Sequence, residues 1–132
     1  MAMLLATVAW AGRTGDSKDN EDMCYKGKIG PYPVTMFITV TTSSEASDVV
    51  GRYYYDERPK SVFKLKCTSL TSEWVESGGA SLVLKEYTAK GNNTGTFKGF
   101  ISHRNGSFGG TFTNKAGKKF DFFLEEYYPN GK

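Results

Sequence analysis

Glu86 and Glu126 close the same short pattern, Leu82-x-Leu84-x-Glu86 and Phe122-x-Leu124-x-Glu126. Alternate residues of a strand share a face, so each carboxylate follows two core residues toward the interior. A carboxylate placed there must find hydrogen-bond donors. Two inward carboxylates raise the possibility of glycoside chemistry, which needs both flanking one substrate. The strands that carry them run in opposite directions, however, so Glu86 belongs at the upper mouth of the fold and Glu126 at the lower. That separation disfavours a two-carboxylate mechanism. Tyr53 and Tyr55 lie in Gly51-Arg52-Tyr53-Tyr54-Tyr55, on the inward face of a strand that ends at the same mouth as Glu86. Their phenols can donate to it. Gly95, opposite Glu86 across a tight hairpin, adds no side chain and is expected to leave room. Tyr53, Tyr55 and Glu86 are therefore the candidate ligand-binding residues, with a purely structural hydrogen-bonded plug as the alternative.

Other reactive groups are sparse. His103 sits in Ser102-His103-Arg104-Asn105-Gly106, whose Asn-Gly is a hairpin signal, and an exposed turn histidine lacks the sheltered partner a general base requires. One histidine and two separated cysteines cannot supply a tetrahedral metal site, so neither metal nor other cofactor is expected. Cys24 and Cys67 both fall at the lower rim and can be paired as a disulfide or remain two thiols. A bridge would close a loop of about 44 residues and stabilise by roughly 4 kcal/mol. Lys64, Lys66, Lys85 and Lys98 face outward as a positive stripe without the interleaved aromatics that nucleic-acid binding needs. Phe37, Tyr54, Phe100 and Phe123 also face outward, and with Trp74 they mark a possible partner or self-association surface.

The elements that must position these residues are strands. Alternating segments at about 25–29, 33–41, 48–55, 61–68, 81–87, 94–102, 107–114 and 119–127 are separated mostly by short turn-forming links. Short links demand antiparallel neighbours. One face of each segment is apolar: for example Val34, Met36, Ile38 and Val40, or Phe120, Phe122 and Leu124. The opposite faces carry Lys26, Lys28, Arg52, Thr111 and Asp121 among others. Such a sheet curls round its own apolar face, which predicts an all-β, eight-stranded antiparallel up-and-down barrel, with a two-sheet β-sandwich as the alternative.

Residues 25–127 resemble a loose group of uncharacterised exported bacterial proteins. The resemblance is carried by the opening Tyr25-x-Gly27-x-Ile29-Gly30-x-Tyr32-Pro33-Val34-x-Met36 and by the strands Gly51 to Tyr55, Leu82 to Glu86, Gly95 to Gly99 and Gly110 to Asn114. It implies a barrel fold and an exported location, and no activity. The meander is also similar in outline to avidin barrels. The Trp, Asn and Ser ligands that avidins place near their first turn are missing, so biotin binding is not implied.

Composition sets the outer limits. A chain of 132 residues is one domain, and 17 basic against 14 acidic residues make a net charge of +3, too mild to imply nucleic acid or an anionic membrane. Residues 1–11 read as a short secretory leader closed by Ala9-Trp10-Ala11, the alternative being a buried N-terminal strand. The apolar run is too short to span a bilayer. Residues 12–23 are expected as a flexible linker, 24–128 as the barrel and 129–132 as a disordered tail. The chain is thus expected to be secreted or periplasmic. The leading functional expectation is a non-enzymatic, inhibitor-like binding protein, holding a small apolar or saccharide ligand in its cup or a protein at its rim. A small carboxylate-based hydrolase or isomerase is the second, and a structural envelope component with a filled interior the third.

Overall fold

In the computed structural model, which describes residues 21–40, 46, 49–73 and 78–128, eight strands follow one another round a closed antiparallel barrel. They are β1 (Glu21–Ile29), β2 (Tyr32–Val40), β3 (Val49–Tyr55), β4 (Phe63–Glu73), β5 (Gly79–Tyr87), β6 (Asn93–Ser102), β7 (Ser107–Asn114) and β8 (Lys119–Glu126). Every strand pairs with its sequence neighbours, and β1 closes on β8 from Tyr25↔Glu126 to Ile29↔Phe122. The up-and-down barrel expected from the alternation is therefore the fold, and the sandwich is excluded by this closing seam. The leader, residues 12–20, Trp74 and the last four residues lie outside the described residues.

The pleat divides the residues as the alternation implies. Tyr25, Ile29, Val34, Met36, Ile38, Tyr53, Leu65, Leu82, Leu84, Phe97, Ile101, Phe108, Phe122 and Leu124 are all buried, while Tyr55, Phe63 and Phe120 at the upper end are half-buried against them. Rings fill the axis. From Tyr25 the contacts run to Phe108, Phe122, Phe97, Tyr53 and Phe63, with successive centroids 6.3, 4.9, 5.2, 5.4 and 5.2 Å apart. Edge-to-face and offset-stacked pairs at these separations are the favourable arrangements of aromatic quadrupoles. The interior expected as a ligand cup is occupied by the protein's own side chains, as in small barrels generally.

Two elements depart from the expected boundaries. Strand β1 begins at Glu21, inside the segment expected as linker, because the long β2 offers it a continuous ladder as far as Glu21↔Val40. Met23, the one apolar residue of that stretch, is buried opposite Ile38. Strand β4 continues to Glu73 where a loop was expected, and it does so through a bulge between Cys67 and Ser69. A bulge adds one residue to one strand and so reverses its in/out parity. Leu65 and Cys67 point inward before it, and Leu70 packs against the core after it.

The Asn105-Gly106 turn lies where its chemistry requires. Gly106 has φ 66°, its N–H donates to the Ser102 carbonyl at 2.8 Å, and it joins β6 to β7. No helix among the described residues is long and apolar enough to cross a membrane. The outer wall exposes Arg52, Lys64, Lys66, Lys98, Asp121 and Glu125, where a lipid-facing barrel needs an apolar band.

Candidate functional site

The carboxylate of Glu86 is positioned by the pleat of β5, which carries Leu82, Leu84 and Glu86 inward together; the residue is 3 % exposed. Tyr53 on β3 is fully buried and donates its hydroxyl to Glu86 Oε2. Thr94 Oγ1 donates to Oε1 at 2.6 Å. The register explains the second donor. Glu86 pairs with Gly95 and Tyr87 with Asn93, so Thr94 is an extra residue on β6, turned toward the carboxylate. Asn93 holds this bulge, its Nδ2 donating to the Glu86 carbonyl at 2.9 Å and to the Gly95 carbonyl at 3.2 Å. Nothing in the segment Asn92-Asn93-Thr94 beyond its turn character signalled that role.

Tyr55 continues the ring cluster from Tyr53 toward solvent. Its ring packs edge-on against Tyr53, with centroids 5.6 Å apart and planes at 68°. Burial, then the negative charge of Glu86, drives the Tyr53 phenol far above its ordinary pKa, and burial likewise raises that of Tyr55. Both therefore remain protonated donors at neutral pH. The three expected residues do come together at the upper mouth, but only Tyr55 meets the outside. The space that Gly95 was expected to leave for a ligand is taken by Phe112: a Cβ on Gly95 would lie 2.4 Å from Phe112 Cζ. Glycine is required there because the ring occupies the place of a side chain, and Tyr53 and Glu86 form a plug beneath the mouth.

Above the plug is an open cleft of about 470 Å³. Its aromatic wall is Tyr32, Tyr55 and Phe63, and Pro33, Glu57, Arg58 and Ser61 complete its lining. The loop that forms its rim is pinned by main-chain bonds: Asp56 N–H to the Pro33 carbonyl at 3.0 Å, Arg58 to Tyr55 at 2.7 Å and Ser61 to Arg58 at 3.0 Å. A side-chain relay clamps the same loop to the wall, with Lys26 Nζ donating to Thr35 Oγ1 at 2.6 Å and Thr35 Oγ1 donating to Asp56 Oδ1 at 2.7 Å. The sequence contained a signal for this cleft. Tyr32-Pro33 opens β2 and Arg58-Pro59 follows β3, and adjacent antiparallel strands bring both to one end.

The remaining candidates lie elsewhere. Glu126 is at the lower end, where Tyr128 donates its hydroxyl to it, the whole barrel away from Glu86. His103, expected as a solvated turn residue, is half-buried because the Gly78 segment lies over it and accepts its backbone N–H at 3.0 Å. Cys24 and Cys67 are not bridged. Cys24 falls between buried Met23 and Tyr25 and so faces the outer side of β1, whereas Cys67 points into the barrel and donates its thiol to the Ser69 carbonyl at 3.2 Å. The barrel wall separates them, which the rim-to-rim placement did not take into account. Among the described residues no group of three or more His, Cys, Asp or Glu converges as a metal site.

The outward residues keep their expected face. Lys66 is directly opposite Lys85 in the β4–β5 ladder. The Phe37 ring is covered by the Arg52 guanidinium at 4.4 Å, and Phe123, 57 % exposed, lies against Gly109. Comparison of the chain with protein-family models, with curated proteins and with solved structures returned no significant match.

Proposed function

We propose that this chain is an exported, non-enzymatic binding protein that holds its ligand at the upper mouth, above a filled barrel. The observation that carries the reading is the pinned cleft of about 470 Å³ with three aromatic residues in its lining. Small-molecule sites are concave, largely apolar and supplied with a few placed polar groups, and this volume is within their usual range. Export is supported by the apolar run ending in Ala9-Trp10-Ala11. A non-catalytic role for Glu86 is supported by its burial and by the hydroxyl donors to both of its oxygens. A structural envelope component would share the filled interior but would have no use for a preformed cleft.

The test is a thermal-shift screen of small molecules with the hits mapped on the amide spectrum. Hits should perturb Tyr32, Tyr55, Arg58 and Phe63, and Tyr32→Ala should weaken them without lowering the melting temperature of the unliganded protein. Hits that map only to the outer wall, or a screen without any hit, overturn the reading. Export is tested separately by the mass of protein made in a Gram-negative host, which should begin near Gly12; an intact Met1 on cytoplasmic material overturns that part.

A further inference from the structure

The arrangement of the three rings narrows the chemistry of the ligand. Tyr55 meets Tyr32 with centroids 6.2 Å apart at 89°, and it meets Phe63 at 6.2 Å and 88°. Phe63 is in turn backed by the buried Tyr53 ring, stacked at 5.2 Å and 22°. Two rings thus stand at right angles to a third, and the assembly is braced from the core. A sugar stacks on one flat, open ring face. Rings set at right angles instead present aromatic surface in more than one direction, which suits a compact, rounded group. A quaternary ammonium has that shape, is attracted by the ring quadrupoles and has no N–H bonds to water to give up.

The rim decides what lies beyond the cation. Arg58 lines the cleft together with Glu57. The rim thus offers one charge of each sign, and a ligand that carries an anionic oxygen group a few bonds from its ammonium would be matched by both. We propose that the upper-mouth cleft binds a quaternary-ammonium zwitterion, the cation among Tyr32, Tyr55 and Phe63 and the anion on Arg58. The proposal rests on the reading of the mouth as the binding site. The shared chemistry is available both in a lipid phosphocholine headgroup and in a free solute.

The isotope-labelled chain is titrated with phosphocholine, choline, the neutral tert-butyl isostere of choline and a cello-oligosaccharide. Choline should shift the amides of Tyr32, Tyr55 and Phe63 and bind about tenfold more tightly than its neutral isostere. Phosphocholine should bind more tightly than choline, and Arg58→Gln should remove that advantage. Tyr32→Ala should weaken phosphocholine about tenfold and Tyr32→Phe should restore it. Sedimentation with phosphatidylcholine vesicles, but not with phosphatidylglycerol vesicles, identifies the lipid headgroup as the source; free phosphocholine binding without sedimentation identifies a solute. Equal binding of the neutral isostere overturns the proposal, as does a cleft that answers to the oligosaccharide alone, and in both cases the mouth remains a binding site. If phosphocholine shifts nothing while screening hits still map to the mouth, this inference alone falls. If no compound maps there, the binding function falls with it.

Discussion

Glu86 is held by two hydroxyl donors from different strands, and the cost of removing one can be estimated. Tyr53→Phe deletes the donor to Oε2 and leaves a buried carboxylate oxygen short of a partner, which should cost about 1–3 kcal/mol in urea unfolding. Ligand affinity at the mouth should be unchanged in Glu86→Gln, since the group lies beneath the cleft and outside its lining. A loss of affinity with stability intact would show instead that Glu86 belongs to the site. The phenols also make a pH prediction. Tyr53 and Tyr55 have folded-state values raised above the ordinary 10.0, so above that pH the unfolded chain releases protons that the folded chain retains. Their contribution is fully present at lower pH and is lost as pH rises, by up to about 1.4 kcal/mol per pH unit for each phenol that stays protonated. Unfolding midpoints measured between about pH 9 and 11 should therefore fall, and fall less steeply in Tyr53→Phe. At Gly95, a methyl group would sit 2.4 Å from Phe112 Cζ and 2.6 Å from Cε1. Gly95→Ala should displace the ring and destabilise by about 1–3 kcal/mol, read from the same unfolding curves.

At the level of elements, the bulge in β4 reconciles two stretches whose apolar residues are out of phase. Leu65 and Cys67 are inward at odd positions, Leu70 at an even one, and the extra residue between Cys67 and Ser69 lets both sets face the core. Deleting Thr68 should force a choice, turning Leu70 outward or shifting the pairing with β5. The expected loss is about 1.5–3 kcal/mol, the value of one buried leucine, accompanied by faster amide exchange from Ser69 to Ser72. An unchanged unfolding midpoint would show that the bulge carries no such role. The second bulge, at Glu86 and Tyr87, has a different use: it delivers the Thr94 hydroxyl to the carboxylate.

Over the whole molecule, closure and filling act together. The seam between β1 and β8 removes both sheet edges, and the aromatic column gives the closed sheet a solid interior in place of a cup. Closure also separates the cysteines. Without reductant both should titrate as thiols in the unfolded protein. In the folded protein Cys24, half-buried on the outer face, should react well before Cys67, which is buried and whose thiol is pushed up in pKa by that burial. Folded, air-exposed protein whose thiols react only after reduction would contradict this placement.

The sequence by itself determined the barrel and its order. Period-two alternation and short turns leave a chain of this length few ways to bury one apolar face, and the inward positions of Tyr25, Met36, Leu84, Phe97 and Leu124 follow from the pleat alone. The meeting of Tyr53 with Glu86 was legible for the same reason, since strand direction and parity place both inside the upper end. Only the tertiary structure decided what depends on side-chain volume and on one-residue shifts. Whether the barrel is hollow turns on how six rings pack across its axis. Whether Gly95 opens a space turns on which neighbour, Phe112, reaches into it. The Thr94 donor and the continuation of β4 each depend on a bulge, which changes register without changing composition. The cleft is made by Tyr32, Tyr55 and Phe63 at the ends of three strands and by a loop whose main-chain bonds shape it, so it exists only once closure has brought those ends together.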